Sequence, residues 1–150
     1  MDSIKYLKSK AIKFRTIHLD GTPRTAKDVE RIYGCPLNRI LKTLVFTGEK
    51  ESMMVIAPGD KRVDVNKLKK ITKQDNIRIA KPNEVEEITG HKIGDVTPFG
   101  IERNIKKIID ESVFKNQIVN IGSGKAEIGI ELNSEELKKA LDMFIADIIE

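Results

Sequence analysis

Cysteine is almost missing from this chain: Cys35 stands alone among 150 residues. An internal disulfide and a cysteine-built zinc site are therefore excluded. Histidine is nearly as scarce. His18 and His91 lie far apart, without metal-ligand spacing, so no metal is expected. Long apolar runs are missing too, so no segment reads as a membrane span. The start, Met1-Asp2-Ser3-Ile4-Lys5, carries no apolar signal core. Together these absences point to the cytoplasm and to no membrane partner. Three catalytic signatures are also lacking: a Walker loop, a G-x-G-x-x-G fingerprint opening a helix, and a G-x-S-x-G nucleophile elbow.

What is present fits one domain over residues 1–150 with a real core. Hydrophobic residues make up 39% and charged residues 33%, a globular balance. Lys and Arg number 27 against 23 Asp and Glu, a net charge of +4. That mild basicity suits an RNA or nucleotide partner and equally a Lys/Glu-rich surface.

Asp2 or Ser3 is placed to cap a first helix carrying Ile4, Leu7 and Ala11. Residues 14–19 read as a strand with His18 near its end. Asp20-Gly21-Thr22-Pro23 reads as a turn. Thr25 opens a second helix, with Asp28 in a variant capping box, Ala26, Val29 and Ile32 or Tyr33 inward, and Gly34 as its stop. Cys35 follows a helix end, where the dipole gives a thiolate no support, so it reads as packing.

Residues 41–46 form the most informative strand. Period two gives two mostly apolar faces, as in a strand covered on both sides. Lys42 is the exception. An ammonium there must reach solvent, an acid or an anionic ligand, because burying it alone costs several kcal/mol. Residues 52–57 return as a buried strand ended by Pro58-Gly59-Asp60. Asp64 caps a helix with Val65, Leu68 and Ile71. A short strand over 77–80 follows. Asn83 and Glu86 then read as a capping box for a helix ending at Gly90. Strands are expected at 105–109, 117–121 and 128–132. The spacing of Leu137, Ala140, Leu141, Phe144, Ile145 and Ile148 continues as a last helix from Asn133 or Ser134 to about Met143 or beyond. The sum is an α/β (α+β) domain with a mixed, largely antiparallel sheet.

Two glycine-rich stretches remain. Thr89–Gly100 packs three glycines and Pro98 into twelve residues. Glycine loosens the backbone and lets a ligand approach it closely, while Pro98 pushes Thr97 toward an extended shape. Such a loop reads as a shaped wall or as a plain surface connector. Gly122-Ser123-Gly124-Lys125 is the second. One oddly placed lysine and two glycine loops suit positioning and oxyanion stabilisation better than covalent catalysis.

Lys42-Thr43-Leu44-Val45, then Ala57 through Asp64, then Thr89-Gly90 through Val96-Thr97-Pro98-Phe99-Gly100, then Gly122-Ser123-Gly124-Lys125 before Ile130-Glu131-Leu132, resemble the YbaK and prolyl-tRNA-synthetase-associated domain family. The match runs from about His18 to Leu137. It implies a curled sheet or partial barrel with helices around it. It also implies trans-editing: hydrolysis of the ester joining a wrong amino acid to tRNA, typically the tRNA for proline carrying alanine, cysteine or another small residue. By this resemblance Lys42 is the candidate catalytic residue. Gly94, Asp95, Thr97, Pro98, Phe99 and Gly100 form the candidate pocket loop, and Gly122, Ser123 and Gly124 another wall, with His18 a further candidate contact. Asp95 stands where the family often has a second glycine. Relatives often break the C-terminal segment into a short final strand. The partners implied are the 3′ end of aminoacyl-tRNA and prolyl-tRNA synthetase, and no cofactor is called for. Two other readings stay open: a noncatalytic module that binds tRNA or a synthetase, and a small-nucleotide-binding domain using glycine loops as anion nests.

Overall fold

The computed structural model describes residues 2–19 and 25–150. The expected turn at Asp20–Pro23 lies outside the described residues, as do the side chains of Ala26 and Ile32.

Helix α1 (Ser3–Ser9) is capped by Asp2, whose carboxylate accepts from the N–H groups of Ile4 and Lys5. It stops short of Ala11, which is exposed with φ 56°, and the stripe passes to buried Leu7 and Ile12. Strand β1 (Arg15–His18) follows. Helix α2 (Ala26–Tyr33) starts where Thr25 accepts from Asp28 N–H, and ends on left-handed Gly34. Strands β2 (Leu41–Thr47) and β3 (Ser52–Pro58) form an antiparallel hairpin that pairs Lys42 with Ala57. Asp64 caps helix α3 (Val65–Thr72).

Strand β4 (Arg78–Ile79) is shorter than the expected 77–80. Helix α4 (Pro82–Thr89) begins two residues before the expected box places it. Its N-cap is Lys81, whose N–H donates to Glu84 Oε1, because proline at the first helical position leaves the cap outside it. Strands β5 (Lys106–Asp110), β6 (Ile118–Gly122) and β7 (Ile128–Asn133) follow.

The last segment departs from the helical reading. Helix α5 (Ser134–Ala140) ends well before Met143, and strand β8 (Phe144–Ala146) takes over. β8 lies parallel to β5, pairing Phe144 with Ile108. The fully buried carboxylate of Asp110 accepts from Ile148 N–H and fixes the chain beyond the strand. Satisfying the free edge of β5 outweighs a helical period whose Phe144 and Ile145 would otherwise continue inward. Both side chains are exposed instead.

Two sheets result. One runs β1-β7-β6; the other runs β4-β2-β3-β5-β8. The β3–β5 and β5–β8 pairings are parallel and the other pairings antiparallel. A lone parallel bridge from Ile40 to Asn120 ties β6 to the start of β2, so the sheets curl together without closing a barrel. β3 is the centre: Met53 through Ala57 have no exposed surface. Val55 packs with Leu68 of α3 and Ile148, Met54 with Val85 of α4, and Ile56 with Leu7 and Leu137. Each such side chain, fully buried, contributes about 1.5–3 kcal/mol. No described helix is long and apolar enough to cross a membrane.

Candidate functional site

Where the sheets meet, a cleft of about 560 Å³ opens. β2 supplies one wall from Leu41 to Val45, and β6 another from Asn120 to Gly122. Ile17 of β1 and Ile128 of β7 close a third side, and Ala80 and Val85 a fourth. The lining is largely aliphatic, with three lysines, Lys27, Lys42 and Lys125. Among the described residues no carboxylate, histidine or cysteine lines it. Nor do any three His, Cys, Asp or Glu side chains among them gather as a metal site.

Lys42 is half-buried on β2, and its Nζ donates to the main-chain carbonyl of Lys61. That carbonyl belongs to the turn after β3, where Gly59 N–H holds Ile40 C=O at 2.7 Å. Burial pulls the Lys42 ammonium below the usual lysine range. Nearby Asp60 opposes this, and Arg62 adds to it. A neutral carbonyl leaves the charge unneutralised, so the ammonium remains able to attract an anionic group.

Gly94, Gly122 and Gly124 line the same cleft. Gly94 and Gly124 both have positive φ, +93° and +92°, which side chains rarely adopt. A Cβ on Gly124 would lie 3.0 Å from the carbonyl oxygen of Asp95, so the two glycine arcs touch there. Thr97 Oγ1 adds a bond to Gly122 C=O at 2.9 Å. The arcs thus brace each other while leaving bare main chain toward the hollow.

The remaining sequence candidates lie elsewhere. Thr97 is buried as the brace just described, and Asp95 is exposed. Ser123 is buried, its hydroxyl donating to Ile128 C=O at 2.6 Å, so it closes the β6–β7 turn. Phe99 has 1% exposure and stacks on Tyr6, with ring centroids 6.4 Å apart, as part of the core. Pro98 and Gly100 line a different hollow, behind the loop. His18 is exposed at the end of β1, opposite Ile128, outside the cleft lining.

Other lining residues carried no signal of their own. Asn120 is buried, and its Nδ2 donates to Cys35 Sγ at 3.4 Å. Burial, as the largest cause, holds the Cys35 thiol above its usual range, which suits packing. Tyr33 lines the cleft with its hydroxyl donating to Glu131 at 2.8 Å, and Arg15 holds the same carboxylate at 2.7 Å. An asparagine in an apolar strand is a sequence oddity that could have marked Asn120. Gly59 belongs to the Ala57–Asp64 stretch, and nothing in the sequence points it toward the cleft it lines.

Known proteins give a context for this geometry. The family described as "Aminoacyl-tRNA editing domain" matches residues 22–140. The uncharacterized protein YwhH of Bacillus subtilis (strain 168) is 36% identical over 77% of this chain and 73% of its own. The proline–tRNA ligase of Aquifex aeolicus (strain VF5) is 34% identical over 63% of this chain, which spans 17% of that enzyme's length. Among solved structures, a proposed trans-editing enzyme for prolyl tRNA synthetase superposes with TM-score 0.87 at 28% identity, covering 97% of this chain and 93% of that one. A hypothetical protein superposes with TM-score 0.91 at 28% identity, covering 98% of each.

Proposed function

The chain belongs to the aminoacyl-tRNA editing domain family, and from that premise we propose that it hydrolyses mischarged tRNA in trans. The substrate in this reading is the tRNA for proline carrying a small wrong amino acid such as alanine or cysteine. Prolyl-tRNA synthetase would be the enzyme whose errors it clears.

One observation carries the proposal. The cleft joins a cationic side chain, Lys42, to three side-chain-free stretches of main chain, Gly94, Gly122 and Gly124, in a mostly aliphatic hollow. An aminoacyl ester is already activated, so it needs no strong protein nucleophile. That agrees with a lining that offers, among the described residues, no carboxylate, histidine or cysteine.

In the proposed reaction, water or a group on the substrate itself attacks the ester carbonyl. Attack by water forms a tetrahedral oxyanion. The bond from the carbonyl carbon to the ribose oxygen then breaks. The ribose oxygen leaves with one proton of the attacking water as a free hydroxyl, and the amino acid leaves as its carboxylate, the second proton passing to solvent. Main-chain N–H groups of the glycine arcs would meet the oxyanion, each typically worth about 3 kcal/mol of barrier. Lys42 would exchange its bond to Lys61 C=O for the terminal phosphate or the carbonyl region of the substrate. Selectivity would come from the size of the hollow. One methylene gives only about 1–3 kcal/mol of discrimination, which is why a second sieve after a synthetase is a physical need.

The test is release of amino acid from a panel of charged tRNAs, with alanyl- and cysteinyl-tRNA for proline first. Faster release than the uncatalysed rate with a small amino acid, and none with prolyl-tRNA, is expected. No acceleration with any member would overturn the proposal. A noncatalytic module, favoured by the lack of a side-chain base among the described lining residues, would bind charged tRNA without changing the ester's half-life.

A further inference from the structure

The loop between α4 and β5 faces two ways. Gly94 and Val96 line the cleft, whereas Pro98, Gly100 and Ile101 line a second hollow of about 400 Å³. Lys10, Lys107, Lys138 and Lys139 surround that hollow, with Asp142 as the one carboxylate among the described lining residues. Lys138 and Lys139 are partly answered on their own helix, by Glu135 at 2.8 Å and Glu136 at 3.4 Å. Lys10 lies 5.7 Å from the centroid of the Tyr6 ring, a contact that leaves its charge unneutralised. Lys107 is half-buried, and its Nζ donates to Ile105 C=O at 3.2 Å. Burial lowers its pKa and Asp142 raises it, so the ammonium is only partly compensated.

We propose that this hollow seats a backbone phosphodiester of the tRNA whose 3′ end enters the cleft. The inference rests on the aminoacyl-tRNA reading of that cleft. Ammonium groups on flexible stems suit a phosphate oxygen as point charges, without the planar fork an arginine would impose. Contacts of this kind position a nucleic acid and carry no sequence information. Because one loop walls both hollows, a phosphate held behind it would fix the loop against the chain entering the cleft.

The experiment measures binding of uncharged tRNA across a salt series, for the wild-type protein, a K10Q variant and a K10Q/K107Q variant. Lys10 is exposed, so K10Q keeps the test alive if the half-buried Lys107 tolerates no change. Each lost phosphate contact is expected to weaken binding and to flatten the slope of log K against log salt by about 0.7–0.9. Hydrolysis of an aminoacyl ester of adenosine alone, which has no backbone to reach the hollow, is expected to stay unchanged. An unchanged salt slope in both variants overturns the proposal. So does a slope unchanged while binding of inorganic phosphate is lost, since the hollow would then serve a small anion. If the wild-type protein hydrolyses neither the charged tRNAs nor the adenosine ester, the deacylase reading fails, while the salt slope still decides this proposal.

Discussion

Lys42 reaches its place by the simplest route available to a strand, one residue into β2, next to Leu41 and opposite Ala57. Its Nζ is held by the neutral carbonyl of Lys61. Replacing it with alanine removes one charge-assisted contact, worth about 1.5–3 kcal/mol. In the proposed role, Lys42→Ala therefore lowers kcat/KM for deacylation by about 10- to 100-fold. Full activity in single-turnover assays would remove that role. Gly124 makes a second residue-scale case. Its positive φ and the 3.0 Å approach to Asp95 C=O mean that Gly124→Ala both strains the backbone and pushes the arcs apart. The φ term alone costs about 1–2 kcal/mol. Gly94 has comparable φ but nothing within 4 Å of a Cβ, so Gly94→Ala should destabilise less. Thermal unfolding of the two variants checks the order. Lys42 could be singled out from sequence because a charge in an apolar strand is a local anomaly. Phe99 and Ser123 could not be told from wall residues, since whether a side chain fills the core or faces a hollow depends on how the chain folds around it: Phe99 meets Tyr6, and the Ser123 hydroxyl turns back to Ile128 C=O.

At the scale of elements, capping was legible where the cap residue has a short polar side chain. Asp2, Thr25 and Asp64 each accept from the first turn of their helices. Lys81 has no such side chain, so the start of α4 was misplaced by two residues, and only the Glu84 half of the box betrays it. Glu84 also pairs with Arg78 of β4 through two bonds of 2.7 Å. The Arg78 guanidinium, aided by Lys81 N–H, brings its carboxyl from 4.5 down to about 2. The folded value is depressed, so the stabilisation is present above pH 4.5 and is lost as pH falls through about 2. Titration of the Glu84 side chain by NMR should give a midpoint well below the usual carboxylate value, and Arg78→Ala should return it upward. The C-terminal segment teaches a different lesson. Its spacing is helical through Ile148, yet the open edge of β5 draws Phe144–Ala146 into the sheet. Periodicity records which residues are apolar and not which backbone groups lack partners. Asp110→Ala removes the acceptor that Ile148 N–H and Ser112 use, leaving a buried donor unpaired. That should cost about 1–3 kcal/mol. Hydrogen exchange of Phe144–Ile149 should accelerate in this variant more than that of β7.

For the molecule as a whole, the mixed sheet and its helices followed from alternating strands and capped helices, and the curl was implied by family resemblance. The cleft itself was not readable. Its walls come from β1, β2, β4, β6, β7, α2, α4 and several connecting segments. They meet only because Ile40 bridges to Asn120 and because β7 pairs between β1 and β6. The bridge and the β1–β7 pairing join residues eighty or more positions apart, and no local pattern encodes them. In the proposed function, that convergence is the place where an aminoacyl ester sits. The most direct measurement is amide chemical-shift mapping with a non-hydrolysable 3′-aminoacylamido adenosine carrying alanine. The largest shifts are expected at Gly94, Gly122 and Gly124, with the Lys42 side-chain signal moving alongside them. Shifts centred on His18 or Gly100, or none at saturating analogue, would contradict that placement.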